Sequence, residues 1–201
     1  MGAKHVTLQY ADEAFTLGHW SKDAEYADDK YEPWKIYFGR KVQEKIQAYN
    51  DKPIRTREGD LIVRYLLDNQ KLLDNRPQTF THGDWDTSNF ILSPEGEIGV
   101  IDISGDRCCY DPWWDFCFIP DYLNSSPHFY TGQIKGYFDG EPPPEFFPLL
   151  AYYIVGPVFG ALDSLCDYNG EGVPERVKTV LNWFDDMRNP VPSWYLPQIN
   201  I

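Results

Sequence analysis

Apolar residues recur every three or four positions along most of the chain, which is the spacing of helices that bury one face. The first such stretch follows Pro33 and continues to about Ile46, and the second runs from Asp60 to Leu73. Proline suits the first turn of a helix, and aspartate is a common cap. Later in the chain the same spacing predicts three more helices, at 125–137, 144–165 and 174–187.

One short stretch departs from the helical pattern. Phe90–Leu92 and Ile98–Ile101 are apolar runs on either side of Ser93–Glu97, whose serine, proline and glycine are typical of a tight turn. This arrangement predicts a β-hairpin. If the strands pair symmetrically about that turn, Asn89 lies opposite Asp102 at the open end of the hairpin.

The residues around this hairpin have the types needed to bind a hard cation. Asp84 precedes Asn89 by five residues and falls in the loop that enters the hairpin. Magnesium is usually held by one or two protein oxygen groups together with substrate phosphates. An aspartate, an asparagine five residues later and an aspartate at the end of a hairpin are also found in kinase catalytic loops. The spacing favours phosphoryl transfer, whereas Asp84 and Asn89 as turn formers and Asp102 as a strand-end cap are the structural alternative.

Three motifs together resemble a known family: His82-Gly83-Asp84, Ile101-Asp102 and Asp111-Pro112-Trp113-Trp114-Asp115. Because of these motifs and the spacing between them, residues 32 to 190 resemble the aminoglycoside phosphotransferase and choline kinase-like family. The resemblance implies an α+β fold, the mostly helical C-terminal lobe of a protein-kinase-like phosphotransferase with a small β-hairpin at the catalytic loop. It also implies an enzyme that uses Mg²⁺ and transfers the γ-phosphoryl group of ATP to a hydroxyl of an aminoglycoside, choline or similar small molecule.

The same resemblance implies roles for individual residues. Asp84 is expected to be the catalytic base or an orienting carboxylate for the acceptor hydroxyl. Asn89 and Asp102 are expected to bind the metal ions that bridge the nucleotide phosphates. His82 and Asp115 are expected to support the catalytic loop, His82 by tying the loop to neighbouring backbone rather than by carrying protons.

Asp111 has a local interpretation of its own. Pro112 follows it at what would be the first position of a helix, and Trp113, Trp114 and Phe116 continue an apolar helical run. Asp111 is therefore predicted to cap that helix.

The helices after the catalytic loop build the acceptor pocket in this family. Asp163 and Asp167 are the candidates for binding cationic groups of an acceptor, and Trp183 is a candidate for cation–π contact. An acidic, aromatic pocket would suit a cationic acceptor. The alternative is that aromatic residues at helical spacing fill a core and that the acidic residues form a solvated loop.

The N-terminal part of the chain lacks features that the family pattern requires. Before His82 there is no glycine-rich phosphate loop, and no lysine follows an apolar β run. Residues 1–30 are expected to be a leader or remnant and residues 31–201 the C-terminal lobe, with the N-terminal nucleotide lobe absent. Full activity would then require that lobe from a separate polypeptide. A homo-oligomer is the other expected form of association. The alternative function is a non-catalytic small-molecule binding module or a truncated kinase remnant.

Charge and composition exclude several other classes of protein. The formal net charge is −13, with 18 basic and 31 acidic residues, which argues against a nucleic-acid partner. The longest apolar run, 146–162, is interrupted by prolines and glycines, so it indicates a buried helix or a kinked pair rather than a membrane span. Neither zinc-type cysteine spacing nor a secretory leader is found, and we expect a cytoplasmic protein.

Overall fold

The computed structural model describes residues 32–79, 81–83, 85, 87–102, 110–118, 127–157, 160–166 and 172–199. The chain divides into two compact units. The hairpin unit comprises the described parts of Met1–Trp34, Arg76–Pro143 and Tyr195–Ile201, and the helical unit comprises those of Lys35–Asn75 and Pro144–Trp194. The predicted leader at 1–30 lies outside the described residues, so the division into leader and lobe stays a prediction.

The described elements are mostly helices, with one two-stranded antiparallel sheet, in agreement with the predicted α+β class. In chain order they are α1 (Trp34–Asn50), α2 (Arg57–Asp68), a 3₁₀ turn (Gln70–Leu73), a 3₁₀ turn (Thr87–Asn89), β1 (Phe90–Leu92), β2 (Ile98–Val100), a 3₁₀ segment (Trp114–Phe118), α3 (Pro127–Phe138), α4 (Phe146–Val155), α5 (Ala161–Cys166) and α6 (Glu175–Trp183). None of these helices is both long and apolar enough to cross a membrane.

Helices α1 and α2 bury the apolar residues on one side, whereas α4 is buried almost all round. In α1 the buried residues follow the predicted spacing of three or four: Trp34, Phe38, Val42, Ile46 and Tyr49. Helix α2 buries Ile62 and Leu66 and contacts α4, α5 and α6. This packing confirms the first predicted helix and the type, though not the limits, of the others.

Three helix boundaries differ from the predictions. Helix α2 starts earlier because Thr56 is the cap, accepting a hydrogen bond from Gly59 N at 3.1 Å, while Asp60 pairs with Arg55. The predicted helix at 144–165 is two helices, α4 and α5, because the backbone becomes extended at Gly156 (φ −72°, ψ −163°), in agreement with the kinked pair predicted as the alternative for 146–162. The last helix ends at Trp183 rather than at residue 187, since residues 185–187 adopt positive φ angles.

The predicted hairpin is present, but its predicted register is wrong by one residue. Phe90 pairs with Val100 and Leu92 with Ile98, so the turn is centred on Glu95. Ser93 N donates to Glu97 O at 2.8 Å, which closes a turn with an odd number of residues. As a result Asn89 faces Ile101 and not Asp102.

Candidate active site

Asp115 holds the backbone that leads into the predicted catalytic loop. Its Oδ2 accepts a hydrogen bond from His82 N, and its Oδ1 accepts one from Gly83 N, both at 2.9 Å. Charge-assisted bonds of this kind are about twice as strong as neutral ones. The two consecutive amides immediately before Asp84 are therefore fixed by one carboxylate that lies 32 residues later in the chain.

His82 joins the same loop to the hairpin. Its Nε2 lies 2.9 Å from the carbonyl oxygen of Ile101, which can only accept, so Nε2 carries a proton in this contact. Ile101 N in turn donates to the carbonyl oxygen of Asn89 at 3.0 Å. Both the carbonyl oxygen and the amide of Ile101 are thus hydrogen-bonded, which fixes the backbone directly before Asp102.

Asn89 and Asp102 therefore lie at the open end of the hairpin, with Asp102 one residue beyond the pair formed by Asn89 and Ile101. Asn89 is 7% exposed, whereas Asp102 is exposed and has a φ of 60°. A positive φ is uncommon for a residue other than glycine, and such conformations cluster at functional sites.

Asn89 and Asp102 are of the residue types that a divalent cation such as magnesium accepts, and their binding of one stays a prediction. Carboxylate and amide oxygens are the ligands that magnesium accepts, and one or two such groups suffice when phosphates complete the shell. Within the described residues no cluster of three or more histidine, cysteine, aspartate or glutamate side chains could hold a metal ion by itself.

Aromatic rings pack behind the loop and the hairpin. Trp85 meets Phe90 edge to face with ring centroids 4.9 Å apart, and Phe90 meets Phe129 of α3 at 5.7 Å. Tyr137, two turns further along α3, contacts Phe116 at 5.3 Å. Burial and then the charges of Asp111 and Asp115 raise the pKa of Tyr137, which keeps this hydroxyl neutral.

Asp111 caps a turn as predicted, but it has a second partner that the sequence did not indicate. Its Oδ1 accepts a hydrogen bond from Trp113 N at 2.9 Å, and the segment that follows is 3₁₀ rather than α-helical. Arg76 donates to both oxygens of this carboxylate, which is fully buried. A lone arginine six residues before His82 carries no local signal of this contact.

The other predicted site residues have different outcomes. Asp84 and Asp167 lie outside the described residues. Asp163, in α5, forms an ion pair of 2.5 Å with Lys45, and Trp183 is half-buried at the end of α6. Both belong to the helical unit, and their role in binding an acceptor stays a prediction.

Comparison with known proteins identifies the family. No curated protein and no solved structure matches the chain. The family model described as the phosphotransferase enzyme family, APH, matches residues 9–147, which is more than half of the chain and includes every residue of the hairpin and its two flanking loops. The resemblance inferred from the His-Gly-Asp motif is thereby confirmed, and the chain belongs to the phosphotransferase enzyme family.

Proposed function

We propose that this protein is the kinase-like lobe of an enzyme that transfers the γ-phosphoryl group of ATP, with Mg²⁺, to a hydroxyl of a small molecule. The observation that carries the proposal is the chain of bonds from Asp115 through His82 to Ile101. This chain fixes the backbone before Asp84 and joins it to the end of the hairpin that bears Asn89 and Asp102. Phosphoryl transfer requires a base and metal-binding groups held close together, and these bonds support that arrangement.

Asn89 and Asp102 would hold the cation through their side-chain oxygens. Bound Mg²⁺ neutralises charge on the phosphate oxygens. Asp84 would orient the acceptor hydroxyl and receive its proton as the acceptor oxygen bonds to the γ-phosphorus. The bond from that phosphorus to the β–γ bridging oxygen breaks, and ADP leaves. Because the transition state is loose, positioning by the protein supplies most of the rate.

A small acceptor with a hydroxyl and a cationic group suits the acidic chain, whose charge of −13 attracts cations. Asp163, Asp167 and Trp183 are the proposed acceptor contacts. The ion pair of Asp163 with Lys45 already compensates one of these charges, so an acceptor ammonium would have to compete with Lys45 for it. For this reason Asp163 is the weakest of the three assignments.

Calorimetric titration with ATP and Mg²⁺ tests the nucleotide site. Asp102→Ala should weaken binding by at least about tenfold, because losing a contact with a charged group costs about 1.5–3 kcal/mol. Glu95→Ala is the matched control, since Glu95 is an exposed acidic residue in the turn of the same hairpin. Equal affinity of both variants would contradict the assignment of Asp102. A lack of binding by the unaltered chain at millimolar nucleotide would contradict a working nucleotide site in this chain and leave only the binding-module or fragment interpretation.

A further inference from the structure

Arg76 has an unusually complete set of contacts for a residue outside the predicted motifs. Its Nε lies 2.5 Å from Oδ2 of Asp111 and a terminal nitrogen lies 3.0 Å from Oδ1. The guanidinium carbon lies 3.8 Å from the centroid of the Trp113 ring. Arg76 is 13% exposed and Asp111 is fully buried. The guanidinium thus fills a slot between a carboxylate and an indole face.

The carboxylate in this slot also organises the segment that bears Asp115. Asp111 Oδ1 accepts the Trp113 amide, and Asp111 O accepts the Trp114 amide at 2.9 Å. These bonds start the 3₁₀ segment Trp114–Phe118, in which Asp115 is the second residue. Asp111 therefore begins the hydrogen-bonded segment that holds Asp115.

Hydrogen bonds at three points join the segment before the catalytic loop to the segment that contains Asp115. Arg76 binds Asp111 at one end, and the two bonds from His82 and Gly83 to Asp115 close the other. Between them Thr79 and Tyr110 exchange backbone hydrogen bonds of 2.9 and 3.1 Å. These three sets of hydrogen bonds join the two segments along their length and end at His82 and Gly83, the residues that precede the predicted base in the chain.

We propose that Arg76 is a positioning residue for phosphoryl transfer, acting through Asp111 on Asp115 and so on the backbone of His82 and Gly83. This inference rests on the proposed function. The slot calls for arginine specifically, since only a planar guanidinium can donate two parallel bonds and stack on a ring at once. Lysine would keep the charge but lose one bond and the stacking.

The kinetic test measures ATP hydrolysis with water as acceptor, in Arg76→Lys and Arg76→Gly. We expect kcat to fall about a hundredfold in Arg76→Gly, because misplacement by about 1 Å costs that much, and less in Arg76→Lys, while KM for ATP with Mg²⁺ changes little. Millimolar guanidinium should restore much of the kcat of Arg76→Gly, and ammonium at the same ionic strength should not. Unchanged kcat, or a change confined to KM, would overturn the proposal.

Arg55 provides the matched control. It also donates through Nε and a terminal nitrogen to an aspartate, Asp60, and lies 5.9 Å from the ring centroid of Tyr49, but it is half exposed and belongs to the helical unit. Arg55→Lys and Arg55→Gly should leave kcat unchanged. An equal loss of kcat in the Arg55 variants would indicate a general effect on folding and contradict a positioning role for Arg76.

A second measurement separates this inference from the proposed function. Hydrogen exchange of the His82 and Gly83 amides reports directly on their bonds to Asp115, with no nucleotide present. In Arg76→Lys we expect these two amides to exchange at least about tenfold faster, with α2 amides unchanged. If the unaltered chain does not hydrolyse ATP, the assignment of a working nucleotide site to this chain alone fails, while exchange still decides the role of Arg76. Unchanged exchange at both amides would reject that role.

Discussion

The hairpin unit and the helical unit are held together by different kinds of interaction. In the helical unit, long helices bury apolar faces, and nine of the ten residues of α4 are buried. In the hairpin unit, short segments that are far apart in sequence are joined by polar side chains that bind main-chain atoms: the buried His82, Thr131 and Lys135 and the partly buried Asp115.

This difference indicates which changes each unit tolerates. A core of interlocking aromatic rings is sensitive to added volume, because side chains there cannot move without displacing others. Loops joined through buried polar groups are instead sensitive to the loss of a hydrogen-bond partner. The unit that bears the candidate site belongs to the second kind, which suits chemistry that depends on the placement of charged groups.

The largest expected effect is an added methyl group in the helical unit, in Gly59→Ala. A Cβ at Gly59 would overlap the ring and hydroxyl of Tyr49, which is buried and bonded through its hydroxyl to both Thr56 N and Thr56 O. Overpacking of this kind costs about 1–3 kcal/mol, and we expect the free energy of unfolding to fall by about 2 kcal/mol. Denaturant unfolding followed by circular dichroism measures it.

Gly39→Ala is the control for this variant. Gly39 lies within α1, and a Cβ there would have no atom within 4 Å. Alanine in an open helical position stabilises by about 0.5–1 kcal/mol relative to glycine. The two substitutions should therefore have opposite signs, and equal stabilisation by both would show that Tyr49 moves aside.

A smaller effect of the opposite kind is expected in the hairpin unit, in Gln133→Met. Gln133 is buried in α3, and neither its Oε1 nor its Nε2 has a hydrogen-bond partner in the part of the chain that the structure describes. A buried polar atom without a partner costs about 1–3 kcal/mol. Methionine fills the same space without a polar group, so we expect the free energy of unfolding to rise by about 1 kcal/mol.

Thr131 provides a comparison with Gln133 within the same helix, α3. It is also buried in α3, but its Oγ1 accepts a hydrogen bond of 3.2 Å from Leu196 N. Thr131→Val removes that acceptor and should lower the free energy of unfolding by about 1–2 kcal/mol. If Gln133→Met destabilises as Thr131→Val does, the Gln133 amide has a partner after all.

Periodicity predicted the helices well where one face is apolar, and less well where a boundary depends on local competition. The apolar face of α1, from Trp34 to Tyr49, follows directly from its spacing. The start of α2 does not, because Thr56 and Asp60 are both good caps and only the bond from Gly59 N selects between them. The hairpin register fails for a related reason, since one residue more or less in the turn shifts every pair.

The motifs of the candidate site predicted part of its support, since His82 and Asp115 were expected to hold the catalytic loop and do so, but they did not predict Arg76. Spacing along the chain carries the pattern that singled out His82, Asn89 and Asp102, and the metal-binding role of the last two stays a prediction. Arg76 could not be found in this way, because its contact with Asp111 spans 35 residues and the sequence does not distinguish Asp111 from the other acidic residues as its partner. Only the fold selects the pair, through the slot beside Trp113.

The smallest expected effect concerns Glu141, an exposed residue of the hairpin unit whose carboxylate is hydrogen-bonded to two other side chains. Its two carboxylate oxygens accept hydrogen bonds from Lys135, at 2.6 Å, and from the Tyr195 hydroxyl, at 2.7 Å, and these bonds lower the pKa of Glu141. A carboxylate with a lowered folded pKa stabilises the protein above its ordinary value of 4.5, and this stabilisation is lost as pH falls through the folded pKa. Because exposed pairs contribute only about 0.2–1 kcal/mol, we expect Glu141→Gln to melt at a slightly lower temperature than the unaltered protein at pH 7, and this difference to vanish at about pH 3.

Melting curves at both pH values measure this difference. A difference that persists unchanged at the lower pH would mean that the charge of Glu141 contributes nothing to these two hydrogen bonds.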